Sequence, residues 1–331
     1  MPRVLDLPSL VPGDRVEDTL LVVDADDREF AGRAYTILTF GNATGRLPSA
    51  PLWPEERAQV EGIRRGHAVQ VIGDVADYRG RRQLRVISLR LLPETSVDRR
   101  ALLPSVGDVA RYWETLDAWR REIRRPRLAR VLSLFFDDDA FRRRFEQCPA
   151  SVAGHHAALG GLLRHTVEVG AIARTIARVA AADPELVLAG VLLHDIGKLE
   201  AYRWDGLFEH TDAHHLVGHV VLGALMLATR LDGEADPPCT PEERLVLEHL
   251  ILAHHGRREL GSPVPPLTLE AEVVHWADNA SARTASFGDA LREAEVGISS
   301  RRFWQLDQRR TFRSTSDWGL AAGGTPRPTG G

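Results

Sequence analysis

Between about Val11 and Leu92 apolar and polar residues alternate in short runs, the period-two signature of half-buried strands. The runs are Thr19–Val23, Ala34–Phe40, Ala68–Gly73 and Leu84–Leu91, separated by turn formers at Gly41-Asn42-Ala43-Thr44-Gly45 and Tyr78-Arg79-Gly80. One helical stretch, Pro54 to Ile63, interrupts them. From Asp108 the period changes to that of a helix and holds almost to Arg302. Helices are predicted over Val109–Ile123, Leu128–Phe136, Leu162–Ala181, Glu185–Tyr202, His214–Arg230, Pro241–His255 and Leu269–Ala285. Pro126 breaks the first from the second, and Asp183-Pro184 stops the third.

Five or so short strands with one helix suggest a small closed barrel of the OB type, an oligonucleotide-binding architecture, although SH3-like barrels give a similar pattern. Pro93–Gly107 reads as a linker, and Gly323–Gly331, rich in Gly, Pro and Thr, as a disordered end. The expected division is a β domain over 1–95, a linker with connecting helices over 96–150, an all-helical domain over 151–305 and a partly disordered tail over 306–331.

A formal net charge of −4 over 331 residues excludes a protein drawn to nucleic acid by its overall field, so such binding must be local. Positive charge is indeed patchy. Arg120, Arg121, Arg124, Arg125, Arg127 and Arg130 form one run, Arg142 to Arg144 another, and Arg79, Arg81 and Arg82 flank a hairpin. The plain reading of the first two runs is solvated helix faces balanced by Glu and Asp. Cys148 and Cys239 offer neither a disulfide framework nor a zinc-ribbon spacing, which points to a reducing cytoplasm and two small buried hydrophobes. No signal-peptide pattern follows Met1, and no apolar run reaches the roughly eighteen residues of a membrane span. A soluble protein without a membrane partner is expected.

Twelve of the 13 histidines fall between His155 and His275. Within that span His165, His194, Asp195, His219, His254, His255 and Asp278 mix imidazoles with hard carboxylates, a ligand set for Mn, Fe, Zn or Ni rather than Ca or a thiolate cluster. They sit on five predicted helices, the way a bundle-core metal site is assembled. Adjacent pairs such as His194-Asp195 and His254-His255 diverge by about 100° on a helix, which suits two metals with Asp195 bridging them. Two such ions activate water and stabilise an in-line displacement at phosphorus, so phosphoester hydrolysis is implied. The single lysine, Lys198, follows Asp195 by three residues and projects from the same side. In a chain that otherwise uses arginine, its compact ammonium is a candidate catalytic group toward a phosphate oxygen.

These residues resemble a known family. His165, the His194-Asp195 pair and Asp278 match the H…HD…D signature of HD-domain phosphohydrolases, and the strings HHAALGGLLRHT, LAGVLLHDIGKLE, HLILAHHG and HWADN are similar to the HD-domain 3′-to-5′ exoribonucleases of the YhaM type, which also carry an N-terminal OB-fold. Pattern-level similarity in RAYTILTFGNATGRLPSAPLW and GHAVQVIGDVADYRGRRQL extends it over roughly residues 12 to 305. The resemblance implies a multidomain chain: an N-terminal all-β OB-fold barrel followed by an all-α HD-domain helical bundle. It implies one divalent metal on His165, His194, Asp195 and Asp278 and a second on Asp195, His219, His254 and His255. Manganese is typical of the family, and Fe, Ni, Zn or Co suits the same ligands. The implied activity is 3′-to-5′ hydrolysis of single-stranded RNA, in some members also single-stranded DNA, to nucleoside monophosphates. Three-metal cyclic-dinucleotide phosphodiesterases of the superfamily place a Glu one turn before the first histidine; here that position is Gly161, so two metals are expected.

Around this set His155 and His156 line a substrate channel, support a ligand or pack a helix start, and His275, one turn before Asp278, can orient a ligand. His210, His214, His215 and His249 read as structural or surface residues, and the loop Gly261–Pro266 as a rim of the site. In the barrel Tyr35 and Tyr78, interleaved with Arg33, Arg79, Arg81 and Arg82, are candidates to grip a sugar-phosphate chain, whereas Phe40 and Trp53 read as core. Two other readings stay open: a small-molecule nucleotide phosphohydrolase or cyclic-nucleotide phosphodiesterase, and a regulatory nucleic-acid-binding protein with a vestigial site. Barrel-and-bundle chains can also assemble into homo-oligomeric rings, and nothing in the sequence sets a subunit number.

Overall fold

Five strands form the N-terminal sheet of the computed structural model, which describes residues 4–55 and 62–316: β1 (Arg15–Phe30), β2 (Arg33–Asn42), β3 (Gly45–Pro48), β4 (Ala68–Tyr78) and β5 (Arg81–Leu91). Their order is β3-β2-β1-β4-β5, with every pair antiparallel. The first half of β1 pairs with β4 and the second with β2, and a register shift between Val22 and Asp24 bends the strand between them. Val16, Leu20, Val22, Leu38, Phe40, Val69, Val71 and Leu84 form the sheet's own core. The edge strands meet at one parallel bridge, Ser49 to Leu84, where Ala50 N–H donates to Leu84 O at 2.8 Å. The strands outrun the sequence expectation because five charged residues between Asp24 and Glu29 hide the distal half of β1. The helix expected over Pro54–Ile63 falls largely on 56–61, outside the described residues.

The second half is helical: α1 (Ala110–Arg120), α2 (Pro126–Phe136), α3 (Asp139–Phe145), α4 (Gly161–Ala180), α5 (Pro184–Leu193), α6 (Lys198–Ala201), α7 (Asp212–Leu216), α8 (His219–Asp232), α9 (Pro241–Ala253) and α10 (Leu269–Glu293). Starts follow local chemistry. Asp183 caps α5 with Pro184 at its first position, and Thr240 and Glu243 form a reciprocal capping box on α9. Two helices predicted as continuous are broken. The Glu185–Tyr202 stretch leaves the helix after Leu193 and resumes at Lys198, and the His214–Arg230 stretch is interrupted before His219 by Gly218, whose φ is +82°. A very close approach accompanies the first break: a Cβ on Gly197 would lie 2.0 Å from His219 O and 2.4 Å from Gly223 N. Helix periodicity alone does not report such a backbone-to-backbone contact.

Two further segments take definite places in the structure. The segment read as linker and connecting helices belongs to the bundle's own core: Trp113, Leu116, Phe135, Phe136, Phe141 and Phe145 cluster with Leu162, Leu192 and Leu250, and Leu103 joins them. Leu21 and Ala68 of the sheet enter the same cluster, so the sheet packs on the bundle through its apolar back. Residues 306–316 of the expected tail are also engaged, with Leu306 buried and Phe312 paired to Ile298; Gly323–Gly331 lies outside the described residues. The arginine runs are largely spent on structure. Arg120 and Arg142 share Asp117, Arg125 pairs with Asp183, Arg127 grips Glu243 with two nitrogens, and Arg130 pairs with Asp236. Among the described residues no helix is long and apolar enough to cross a membrane.

Phe136 tests whether α1 to α3 are integral, because it is 1% exposed and meets Phe141 and Phe145 edge-on. Phe136→Ala is expected to cost about 3–5 kcal/mol in urea unfolding of the whole helical half. A midpoint unchanged from wild type would show a detachable connector.

Candidate metal centre

The break after α5 makes His194 the residue that closes that helix, and His254 closes α9 in the same way. Each imidazole turns back on its own helix end. His194 Nδ1 lies 2.7 Å from Val191 O and His254 Nδ1 2.6 Å from Ile251 O, both free last-turn carbonyls. His255 Nδ1 lies 2.7 Å from Leu260 O. A carbonyl only accepts, so in each ring Nδ1 carries the proton and Nε2 presents a lone pair. The helix ends thereby set both tautomer and aim.

Asp195, 2% exposed, sits at the centre of these lone pairs. Its Oδ2 is 3.2 Å from His194 Nε2 and 3.5 Å from His165 Nε2, while its Oδ1 is 3.5 Å from His219 Nε2 and 3.7 Å from His254 Nε2. Asp278 on α10 closes the first side, its Oδ1 3.0 Å from His165 Nε2. Among the described residues the possible ligand atoms form two groups, His165, His194 and Asp195 in one and His219, His254 and His255 in the other, each within 4.8 Å. The structure thus gathers His165, His194, His219 and His254 about the Asp195 carboxylate, with Asp278 beside His165 and His255 beside His219 and His254. His194 Nε2, His219 Nε2, His254 Nε2 and Asp195 Oδ1 are buried without a hydrogen-bond partner. Four orphaned polar atoms facing one another would cost several kcal/mol in a dry core, on the order of 1–3 each, unless a cation satisfies them. The donor set, imidazole with carboxylate and no sulfur, fits a divalent transition metal.

Charge here is opposed by burial and supplied by neighbours. Burial would raise Asp195, but Lys198 and His194 hold it well below the ordinary carboxylate range; Asp278 is likewise lowered against burial by its bond to His165. Burial pushes His219 down to about 3 and His254 down as well, so both are neutral donors. His194 goes the other way, since Asp195 outweighs its burial. Lys198 is 6% exposed, its Nζ 2.6 Å from Asp195 Oδ2, and that contact raises its pKa despite burial.

A second ring of residues positions the first. His275 Nδ1 lies 2.9 Å from His254 O, and the left-handed Gly256 packs so closely that a Cβ there would sit 2.3 Å from the His275 ring. His155 lies with its ring centroid 5.2 Å from that of His165. His156 Nε2 is 2.7 Å from Glu168 Oε2, and Ser281 Oγ lies between Glu168 and His165 Nδ1. Glu168 and Ser281 escaped the sequence reading, although each follows a ligand, His165 or Asp278, by one helical turn. Gly161 has no room for the third-metal carboxylate: its Cβ would meet His156 O at 2.0 Å. His210 and His214 stack with centroids 3.8 Å apart, His214 6.3 Å from His219, while His249 Nε2 accepts the Leu267 N–H.

The sheet residues do not form one exposed set. Arg33 is paired with Glu55 at 2.6 Å and lies over Trp53, against which Tyr35 packs at 5.1 Å. Tyr78 is 56% exposed with Arg79 over its ring. Arg81 is exposed at the start of β5, but Arg82 is not a free grip: its Nη1 donates to Leu7, Pro8 and Leu10 carbonyls at 2.7–3.1 Å, tying down the N-terminal segment. Its position beside a turn gave no sign of that use. Phe40 is fully buried. Phe30, 70% exposed at the tip of the β1–β2 hairpin, is an aromatic that the sequence reading passed over.

A family model described as the HD domain matches residues 162–283, the stretch that holds all seven of these side chains. Fold and site together define a chain with an HD domain preceded by an antiparallel sheet. Curated proteins named 3′-5′ exoribonuclease YhaM are similar along nearly the whole chain. The one from Bacillus subtilis is 29% identical over 92% of this chain and 96% of its own length. Those from Bacillus velezensis and Shouchella clausii are 30% identical, over 86% and 91% of this chain and 90% and 94% of their own. The chain belongs to the YhaM family.

Burial, reinforced by His165, pulls His155 down to about 3, against about 6.5 for an unfolded histidine. In metal-free protein the unfolded chain takes up that proton first as the pH falls, so His155 costs stability progressively from about pH 6.5 toward 3 and nothing well above 6.5. His155→Gln is expected to flatten the decline of Tm with acidification between about pH 7 and 5 in the presence of a chelator. An unchanged slope would mean that His155 is protonated within the fold.

Proposed function

We propose that this chain is a metal-dependent 3′-to-5′ exonuclease that hydrolyses single-stranded RNA, and also single-stranded DNA, to nucleoside monophosphates. The observation that carries it is the convergence of buried, unpartnered nitrogen and oxygen atoms on Asp195. The YhaM relatives supply the direction and the RNA.

His165, His194, Asp195 and Asp278 would hold one divalent ion and Asp195, His219, His254 and His255 the other, with manganese the expected metal. When bound, such a pair supplies Lewis acidity to the phosphoryl oxygens and a water of lowered pKa. The protein's own part is orientation and charge. The carbonyls of Val191, Ile251 and Leu260 hold three imidazoles with Nε2 forward. Asp195 presents one oxygen to each side of the centre, and Lys198 keeps it ionised. The ammonium of Lys198 also places positive charge where the phosphoryl oxygens gain negative charge.

The sheet is read as an OB-type barrel that grips the strand, a reading supported by its strand order and by the Ser49–Leu84 bridge between its edges. Tyr78, Arg79 and Arg81 at the β4–β5 turn, with Arg33 and Tyr35 at the β1–β2 hairpin, would contact it. Two free cysteines suit the cytoplasm.

A 5′-labelled oligonucleotide should shorten progressively with manganese present, whereas a 3′-labelled one should release its label at once as mononucleotide. No shortening with any of several divalent metals would sink the reading. Asp195→Ala is expected to abolish turnover and to lower the metal bound per chain while oligonucleotide affinity persists; activity within a few-fold of wild type would remove Asp195 from the bridging position. Lys198→Arg should impair turnover, on the order of 10²-fold in kcat, more than folding, because the guanidinium fork does not replace a point charge. Unchanged kinetics would make the lone lysine an accident of composition.

A further inference from the structure

A pocket of about 550 Å³ opens beside the metal centre on the side of His155. Its walls come from segments far apart in sequence: Arg46 at the start of β3, His155 in the loop before α4, Arg292 at the end of α10, and Arg301, Arg302 and Trp304 just beyond it. Four arginines line it against a single carboxylate, Asp289, which already pairs with Arg292. In a chain of formal charge −4 that is a marked local excess of positive charge.

The guanidinium groups are partly held in place. Arg302 Nη1 donates to Gln308 O at 2.9 Å, and Arg301 lies over the Phe303 ring at 4.4 Å. Trp304 is 64% exposed, whereas its neighbours Phe303 and Leu306 are buried in the small core that anchors this segment. An indole left in water among arginines has the chemistry of a base-stacking platform beside phosphate contacts. His155 joins the pocket to the site, being both its wall and the neighbour of His165. At the opposite end Arg46 also borders a cleft of about 190 Å³ between sheet and bundle, which Arg65 lines as well. Arginines therefore line a path from the sheet into the pocket, whose His155 wall adjoins the ligand His165.

We infer that this pocket seats the nucleotides immediately 5′ of the scissile phosphate of a single-stranded RNA, with Arg46, Arg301 and Arg302 on backbone phosphates and Trp304 stacked on a base. The inference rests on the exonuclease reading, which puts the 3′ end at the metal centre and requires the rest of the strand to leave along a basic channel. An acidic peptide would match the arginines but give the indole no planar partner.

The test uses the full chain loaded with manganese and two substrates: a 5′-labelled single-stranded RNA oligonucleotide, and bis(p-nitrophenyl) phosphate, a diester too small to span from the metals to Trp304. In the double variant Arg301→Ala/Arg302→Ala the oligonucleotide kcat/KM should fall by ten-fold or more, its salt dependence should become shallower, and hydrolysis of the small diester should stay within two-fold. Trp304→Ala should lower oligonucleotide kcat/KM about five-fold or more, consistent with loss of one stacked base. If the double variant loses its fold by circular dichroism, Trp304→Ala decides, because removing an exposed ring leaves the core intact. Oligonucleotide kinetics within two-fold of wild type would overturn the inference. So would an equal loss on both substrates, which would make these residues supports of the metal centre. Wild-type protein that cleaves the small diester but never shortens RNA would instead defeat the exonuclease reading.

Discussion

One buried carboxylate organises the helical half of this protein. Asp195 is charged in a nearly dry core, a state that is strongly unfavourable unless compensated. Lys198 compensates it in part through a 2.6 Å contact, and the imidazoles of His165, His194, His219 and His254 crowd the remaining approaches. The helices that carry those histidines gather around this charge. Positive charge on the inner face is therefore a condition of the fold as well as of the chemistry, and a divalent cation meets it better than protons do.

Helix interruptions are the means of delivery. A histidine inside a helix shares its backbone hydrogen bonds with neighbours, but one at a helix end finds free carbonyls for its Nδ1–H. His194 and His254 both use that arrangement, and His219 begins α8 immediately after the left-handed Gly218. Gly197 lets the first interruption pass against the backbone of α8, bringing His219 across to Asp195. Support then spreads outward through His275 behind His254 and through Ser281 and Glu168 behind His165. Errors in this outer ring would loosen the inner one without touching a ligand.

Arginine does two kinds of work in a chain with one lysine. Most of the long basic runs lock helices together: Arg142 binds Asp117 and lies 3.8 Å over Trp113, and Arg127 grips Glu243; the lone Arg230 likewise packs on Phe135 while pairing with Asp138. Arg46 and the Arg301-Arg302 pair, far apart in sequence, are the ones brought to a common open pocket. Density of charge along the chain was a poor guide to where charge faces solvent near the site.

Residue chemistry and local period determined much of this protein. Side-chain type restricts which atoms can bind a metal, so the seven ligand candidates could be named from the sequence, and apolar spacing reports which face of a helix or strand is buried, so the β-then-α order and most helix starts were legible as well. Only the tertiary structure decided where helices stop short, that Arg82 serves the N-terminal carbonyls, that Trp113 and Phe136 belong to the bundle core, and that Arg46 and Trp304 line one pocket. The physical reason is the same in each case. A contact such as Gly197 with His219 O, or Ser281 with His165, joins backbones and side chains far apart along the chain, and its energy leaves no mark on the periodicity of either segment.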